Sequence, residues 1–211
     1  MELTLLKNSV LASVAYPVME HFYTLQGEGA YTGRAAYFIR LGGCDVGCVW
    51  CDVKESWPIE GHPVMTVSEI VAVAASFAGR LAVITGGEPA MHNLEALIAG
   101  LHAAGFEVAI ETSGTRMLTG GPDWITLSPK KFKAPSPAVL AEASELKVVI
   151  FHKSDFEWAE EHAAQVGAAC RLYLQSEWGK QEQMLPLILD YIARNPQWTL
   201  SLQTHKWLQI P

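Results

Sequence analysis

The strongest constraint on the fold of this chain is a repeated alternation of short apolar segments with segments of helical periodicity. The apolar segments are rich in β-branched residues and are typical of buried strands, whereas most of the intervening segments are typical of helices. Such an alternation predicts a mostly parallel sheet covered by helices. The predicted strands are residues 36–41, 81–85, 107–111, 124–127, 145–151, 171–175 and 198–202.

Capping residues indicate where several helices begin. Thr66 and Glu69 have the spacing of a capping box, and Ser154 and Glu157 have the same spacing. The predicted helices are residues 67–78 with Gly79 as a stop, a helix from Asn93 to Gly105, a helix that begins at Ser154, and residues 181–195 with Pro186 near the first turn or at a kink.

Length limits the overall organisation of the chain. It has 211 residues, whereas a complete eight-stranded β/α barrel usually needs about 250. No internal repeat and no Gly/Ser-rich linker divides the sequence, so we expect one domain over residues 1–211.

Charge and hydropathy exclude several classes of partner. Fifteen Lys and Arg against 22 Asp and Glu give a net charge of −7, which offers no global electrostatic reason to bind nucleic acid. No apolar run reaches the roughly 18 residues that span a bilayer, and residues 1–16 lack the features of a signal peptide. We therefore expect a cytoplasmic protein without nucleic-acid or membrane partners.

Polar motifs follow the predicted strands at their carboxyl ends, the edge at which parallel α/β folds bind ligands. Packing alone does not explain five such motifs at one edge, so we expect them to share a crevice. The motifs are the cysteines after residue 43, Gly86-Gly87-Glu88, Glu111-Thr-Ser-Gly114, Ser128-Pro-Lys130 and Gln175.

Three of the four cysteines, Cys44, Cys48 and Cys51, fall within eight residues. Thiolates are soft ligands that suit zinc or iron–sulfur clusters. A structural zinc takes four closed ligands, so three cysteines favour a cluster with one open iron. The alternative is a zinc knuckle completed by Cys170, His62 or His92. Cys170 precedes a strand, at the opposite sheet edge, and is expected to be a buried apolar residue.

The CxxxCxxC spacing, with Trp50 before the last cysteine, resembles the radical S-adenosylmethionine superfamily, and Gly86-Gly-Glu-Pro89 resembles its segment for the methionine amino group. The resemblance implies a [4Fe-4S] cluster, S-adenosylmethionine, and an α/β fold of the incomplete (β/α)6-type, a partial TIM barrel. An open side of such a barrel would admit a larger ligand than a closed barrel.

Further segments resemble the 7-carboxy-7-deazaguanine synthase family over nearly the whole chain. That resemblance implies conversion of 6-carboxy-5,6,7,8-tetrahydropterin to 7-carboxy-7-deazaguanine by radical ring contraction with loss of ammonia, on the pathway to queuosine. The segments are Phe22-Tyr-Thr-Leu-Gln-Gly-Glu-Gly29, Phe38-Ile-Arg40, Ile84-Thr-Gly-Gly-Glu-Pro89, Ile110-Glu-Thr-Ser-Gly-Thr115, Ser128-Pro-Lys130 and Gln203-Thr-His-Lys206.

The same resemblance implies a role for each matching residue. The cluster ligands would be Cys44, Cys48 and Cys51. The S-adenosylmethionine contacts would be Trp50, Gly87, Ser128, Lys130 and Gln175. The substrate contacts would be Leu25, Gln26, Gly27, Glu28, Arg40, Thr85, His205 and the terminal carboxylate of Pro211.

Elementary chemistry agrees with part of this assignment. Glu28 and a terminal carboxylate are acceptors that match the N–H donors of a pterin, and Arg40 offers a bidentate fork to a substrate carboxylate. An ordinary salt bridge is the alternative for Arg40. His205 is selected by the resemblance alone. The other histidines considered, His21, His62, His102, His152 and His162, are expected to be surface or satisfied core residues.

One residue departs from the family pattern in a way that matters. The family usually has a threonine after Cys-Asp whose hydroxyl helps to bind Mg²⁺, and this chain has Val53 there. Valine has no oxygen for a hard cation. Either substrate, water and a neighbour such as Asp52 hold Mg²⁺, or the metal dependence differs.

The resemblance also implies partners. A flavodoxin or ferredoxin would supply the electron, and a homodimer is expected, for which Trp198, Trp207 and Leu208 are candidates unless they pack in the core. Two other functions stay open: a radical S-adenosylmethionine activase acting on a protein, and a non-enzymatic zinc-binding module.

Overall fold

A nine-stranded sheet organises the part of the chain that the computed structural model describes, residues 14–211. The strands are hydrogen-bonded in the order β3-β1-β2-β4-β5-β6-β7-β8-β9. Their bounds are β1 Ala15–Leu25, β2 Ala35–Leu41, β3 Val64–Thr66, β4 Leu81–Gly86, β5 Glu107–Thr112, β6 Trp124–Leu127, β7 Glu145–Ile150, β8 Arg171–Ser176 and β9 Trp198–Ser201. The helices are α1 Val67–Ala75, α2 Glu95–Ala103, α3 Pro137–Glu142, α4 Asp155–Ala163, α5 Gln181–Arg194 and α6 Thr204–Leu208.

The seven strands predicted from the sequence form the parallel part of this sheet. β2 pairs in parallel with β4, and from β4 to β9 each strand pairs in parallel with the next one along the chain. Helices lie in five of the six connections, and a loop alone joins β5 to β6. The α/β prediction is confirmed, and the architecture is that of an incomplete barrel of the (β/α)6 type.

Two further strands were missed by the sequence analysis. β1 pairs antiparallel with β2, and β3 pairs antiparallel with β1, so that this hairpin and its short companion extend one side of the parallel sheet. β1 carries polar residues such as Glu20 and His21 on a largely half-exposed surface, which hides the apolar pattern of a strand.

Strand alternation separates the apolar core from the functional face. In β7, Leu146 and Val148 belong to the main hydrophobic core, whereas Glu145 and Lys147 project to the other face of the sheet. The same alternation holds in β2, where Ile39 is fully buried in the core and Arg40 reaches the opposite face. The polar residues of successive strands therefore meet inside the open barrel.

The helix boundaries test the capping predictions. Thr66 and Glu69 form the capping box before α1, as predicted, although the helix ends at Ala75, four residues before Gly79. The capping box predicted for Ser154 and Glu157 is wrong, because within the described residues the Ser154 side chain forms no capping hydrogen bond. Asp155 instead accepts the N–H groups of Phe151 and His152, which fixes the chain entering α4.

Smaller differences concern single residues. The Asn93 side chain accepts the Glu95 N–H at 3.0 Å, but the residue that precedes α2 is Leu94. Pro186 lies inside α5 just past its first turn, close to its predicted position near that turn. The predicted strands β7 and β9 each end one residue early, before Phe151 and Leu202.

No helix in residues 14–211 is long and apolar enough to cross a membrane. The expectation that residues 1–16 lack a signal peptide concerns residues that mostly lie outside the described part of the chain.

Candidate functional site

A cavity of about 360 Å³ opens at the carboxyl ends of the parallel strands. Every residue to which the resemblance assigns a contact with the cluster, S-adenosylmethionine or the substrate lines it, as do Asp52 and Val53, although these residues come from nearly all parts of the chain. They are Leu25, Gln26, Gly27, Glu28, Arg40, Cys44, Cys48, Trp50, Cys51, Asp52, Val53, Thr85, Gly87, Ser128, Lys130, Gln175, His205 and Pro211.

The cysteine triplet forms part of the cavity wall. All three thiols are free, and the loop begins beyond the end of β2, where Cys44 N–H donates to the Trp57 carbonyl at 3.0 Å. Burial raises the pKa of Cys44 and of Cys48, so a bound cation is needed to favour their thiolates. Three soft donors on one short loop fit an iron–sulfur cluster chemically.

The zinc alternative has little support in the described residues. No group of three His, Cys, Asp or Glu side chains there could hold a single metal ion. His92 Nε2 lies 2.8 Å from the Gly42 carbonyl, and His62 Nε2 lies 3.0 Å from that of Pro58. Cys170 precedes β8 at the opposite sheet edge and packs half-buried against the core, where burial raises its pKa to about 11.

The Gly-Gly turn after β4 packs directly on the cysteine loop. A Cβ atom on Gly87 would lie 2.3 Å from the Gly43 carbonyl oxygen, so no larger residue fits there. The buried Glu88 side chain stabilises the turn. It accepts hydrogen bonds from Ala90 N–H, the Thr112 hydroxyl, and both the N–H and the hydroxyl of Ser113. This buried carboxylate therefore fixes the backbone of the turn, and both of its oxygens are occupied by hydrogen bonds.

A cation and an aromatic ring face each other beside the cysteines. Lys130 Nζ donates to the Ser128 hydroxyl at 2.6 Å and lies 5.1 Å from the centre of the Trp50 ring. Burial lowers the pKa of Lys130, because few groups here solvate its ammonium. Gln175, at the end of β8, completes this set, and its Oε1 accepts the Ser201 hydroxyl at 2.7 Å.

A buried ion cluster lies in the same cavity and was missed by the sequence analysis. Lys147 Nζ contacts the carboxylates of Glu28 and Glu111, the latter at 3.1 Å. Burial alone would raise the pKa of Glu28, but Lys147 and Gln203 lower it to about 2. Burial alone would lower the pKa of Lys147, but the carboxylates of Glu111, Glu28 and Glu145 raise it.

The sequence did contain a sign of this cluster, because the apolar strand segments include Glu111, Glu145 and Lys147. The strand register places Glu111 opposite Thr126, and Thr126 opposite Glu145, so acidic residues of β5 and β7 face a common space. Charged residues are rarely buried unless they are paired.

Arg40 forms a salt bridge and also lies at the cavity. Its Nε donates to Glu20 Oε1 at 2.6 Å, which is the salt bridge considered from the sequence. The residue nevertheless lines the cavity. The bond to Glu20 uses Nε and not the two terminal nitrogens of the guanidinium group.

The end of the chain returns to the cavity. Gln209 adopts a left-handed conformation (φ 54°), and Ile210 N–H donates to the His205 carbonyl at 3.1 Å. This turn brings Pro211 to the cavity wall. His205 packs so closely on Gly27 that a Cβ there would lie 2.2 Å from Nδ1, and burial lowers the pKa of His205, which favours its neutral form.

Residues 26–30, which we call the 26–30 loop, are held by side chains from three distant strands, β5, β7 and β9. Gln26 Nε2 donates to Glu111 Oε1 at 2.9 Å, and Ala30 N–H donates to Glu145 at 2.8 Å. Gly29 N–H donates to the Ser201 hydroxyl at 3.0 Å. Gly29 has φ 62°, and a Cβ would lie 2.2 Å from Glu145 Oε1, so glycine is required there.

Comparison with known proteins agrees with this geometry. The Radical SAM superfamily profile matches residues 38–134. A 7-carboxy-7-deazaguanine synthase of Flavobacterium psychrophilum is 54% identical over 92% of this chain and 92% of its own length. One of Synechocystis is 51% identical over 96% of this chain and 97% of its own length. The crystal structure of QueE from Escherichia coli matches with a TM-score of 0.81 at 34% identity, over 93% of this chain and 97% of that one.

Proposed function

The chain belongs to the 7-carboxy-7-deazaguanine synthase family of radical S-adenosylmethionine enzymes, and from that premise we propose how its residues divide the reaction among them. The reaction converts 6-carboxy-5,6,7,8-tetrahydropterin to 7-carboxy-7-deazaguanine with loss of ammonia, on the pathway to queuosine. One observation carries the proposal: a single cavity is lined both by the three cysteines and by the polar residues suited to a pterin.

Cofactor binding falls to the residues around the cysteine loop. When bound, a [4Fe-4S] cluster and S-adenosylmethionine supply the one-electron chemistry that removes a hydrogen atom from the substrate. Cys44, Cys48 and Cys51 would hold the cluster. Trp50, Gly87, Ser128, Lys130 and Gln175 would hold S-adenosylmethionine, with the Lys130 ammonium placed for an anionic or polar group and Gly87 for close backbone approach.

Substrate binding falls to the 26–30 loop and the end of the chain. Glu28 is ionised at neutral pH, so it is an acceptor for the N–H donors of the pterin. The Pro211 carboxylate offers a second acceptor, and the free end of the Arg40 fork a bidentate partner for the substrate carboxylate. Leu25, Gln26, Gly27, Thr85 and the neutral His205 would complete the contacts.

Magnesium binding would depend on Asp52 in this chain. The Val53 side chain lines the cavity without an oxygen to offer, and Asp52 is paired with Lys206 Nζ at 2.9 Å. A magnesium ion at Asp52 must compete with that ammonium. Lys206→Ala should therefore lower the Mg²⁺ concentration that gives half-maximal activity, and an unchanged concentration would exclude Asp52 as the ligand.

The electron donor is proposed to be a flavodoxin or a ferredoxin, since a bound cluster would have to be reduced before S-adenosylmethionine is cleaved, and the chain itself does not supply that electron. A homodimer is proposed through Trp207 and Leu208 of α6, which are 62% and 59% exposed. Trp198, the third candidate for that interface, is buried in the core, and its Nε1 donates to Glu160 at 2.7 Å.

Anaerobic turnover tests the proposed function. The reconstituted protein, S-adenosylmethionine, dithionite and the pterin should yield 7-carboxy-7-deazaguanine and one equivalent of ammonia, followed by mass spectrometry and an ammonia assay. Protein that contains an intact cluster and binds S-adenosylmethionine, yet forms no deazaguanine, would refute the proposal and favour an activase. Cys48→Ala, which lacks one proposed ligand, is the negative control.

A further inference from the structure

Ser201, at the end of β9, links Gln175 to the 26–30 loop, although Ser201 is not among the residues that line the cavity. It is 2% exposed and forms two hydrogen bonds. Its hydroxyl oxygen accepts the Gly29 N–H at 3.0 Å, and it contacts Gln175 Oε1 at 2.7 Å. A hydroxyl carries a single proton, and amide oxygens only accept, so Ser201 donates that proton to Gln175.

This pair of bonds determines which end of the Gln175 amide faces the ligand. The oxygen is occupied by Ser201, so the NH₂ group is the end that remains. Within residues 14–211, no fully buried polar side-chain atom lacks a partner. Gln175 Nε2 has no protein partner there and Gln175 lines the cavity, so the NH₂ group is reached from the cavity. It can only donate to what binds there.

We propose that Ser201 is a positioning residue that turns the Gln175 amide so that its NH₂ group donates to S-adenosylmethionine, while the same hydroxyl anchors the 26–30 loop that faces the pterin. The inference rests on the proposed function, because Gln175 is a cofactor contact only if that assignment holds. It adds a direction to that contact: the atom of S-adenosylmethionine that meets Gln175 is an acceptor.

Equilibrium binding of S-adenosylmethionine to the reconstituted enzyme, without reductant, tests whether Ser201 orients the Gln175 amide. Ser201→Ala should weaken binding by about fivefold, the effect of one lost neutral hydrogen bond. The matched control is Ser144→Ala. That hydroxyl accepts the Ile125 N–H at 3.0 Å at the far edge of the sheet, so the control loses a similar bond and should bind normally.

A double-mutant cycle separates positioning from a general loss of structure. In a Gln175→Ala background, Ser201→Ala should weaken S-adenosylmethionine binding no further, because the amide it orients is gone. Ser201→Ala should still weaken pterin binding in the Gln175→Ala background, because the Ser201 hydroxyl anchors the 26–30 loop through Gly29 N–H and not through Gln175. An unchanged affinity in Ser201→Ala, or an equal loss with and without Gln175, overturns the proposal.

Gln175→Glu tests the orientation even if Ser201→Ala fails to fold. The carboxylate can still accept the Ser201 hydroxyl but offers no N–H to the cavity. We expect it to bind S-adenosylmethionine as weakly as Gln175→Ala, and wild-type affinity would overturn the proposal. Failure of the wild-type enzyme to bind S-adenosylmethionine at all would instead refute the proposed function.

Discussion

Replacing Lys147 by methionine should destabilise the protein strongly, because the lysine is the buried counter-ion of the cavity. Its side chain is only 3% exposed, and its ammonium contacts Glu28 and Glu111, which are 14% and 21% exposed. Methionine fills a similar volume without the charge. The substitution therefore isolates the loss of the cation from the loss of packing.

The size of the effect follows from the pKa of Glu28. Its pKa falls from 4.5 to about 2 in the folded protein, which corresponds to about 3 kcal/mol of interaction in favour of the ionised carboxylate. Removing one partner of a buried ion pair typically costs about 3–5 kcal/mol. We expect Lys147→Met to lower the free energy of unfolding at neutral pH by about 3 kcal/mol.

The effect should depend on pH in a defined direction. In the wild type the depressed pKa of Glu28 stabilises the fold above pH 4.5, and that contribution is lost as the pH falls towards about 2. Without Lys147, burial raises the pKa of Glu28 above its unfolded value. Acidification then protonates the unpaired carboxylate and removes the free-energy cost of burying its charge. The stability difference should therefore narrow as the pH falls from neutral to about 4.

Urea unfolding monitored by tryptophan fluorescence, at neutral pH and at about pH 4, measures the loss of unfolding free energy and its dependence on pH. Lys153→Met, which changes an exposed lysine close in sequence, is the control and should leave stability nearly unchanged. A Lys147→Met variant within about 1 kcal/mol of the wild type at neutral pH would refute the reasoning. A large difference that does not change with pH would equally contradict it, since it would show loss of packing rather than of charge.

Three further predictions concern the ligands. Cys48→Ala should abolish the iron–sulfur absorption and S-adenosylmethionine cleavage while Cys170→Ala preserves both, and the reverse result would show that the ligands are misassigned. Arg40→Lys should raise the KM for the pterin about tenfold with little change in kcat, because the fork is lost; Glu20→Gln tests the salt bridge alone and should change KM less. Deleting Pro211 moves the terminal carboxylate by one residue and should raise the same KM, and unchanged kinetics would exclude that carboxylate from the site.

Much of the fold follows from local patterns in the sequence. The seven parallel strands are short and apolar, and all but β5 and β6 are separated by helices, so each strand can be recognised on its own, as can the capping box at Thr66. β1 could not be found in this way because its stability depends on pairing with β2 over residues 18–25 and 35–41, not on an apolar face of its own. Local capping also failed at Ser154, where Asp155 provides the bonds instead.

The site shows the same division between local and long-range information. Position at a strand end was enough to place Ser128, Lys130 and Gln175 at one cavity. Lys147 was missed because its partners lie 119 and 36 residues away, and only the strand register shows that they meet. The orientation of Gln175 likewise depends on Ser201, which no motif selects.

The ties of the 26–30 loop also determine when the cavity can exist during synthesis of the chain. Gly29 bonds to Ser201, Glu28 to Gln203 and Gly27 to Thr204, across separations of 172, 175 and 177 residues. Contacts this remote form late, because closing such long loops is entropically costly and their partners leave the ribosome last. The sheet can grow strand by strand, but the pocket is complete only once residues 201–204 have joined the 26–30 loop, so its assembly belongs to the last steps of folding.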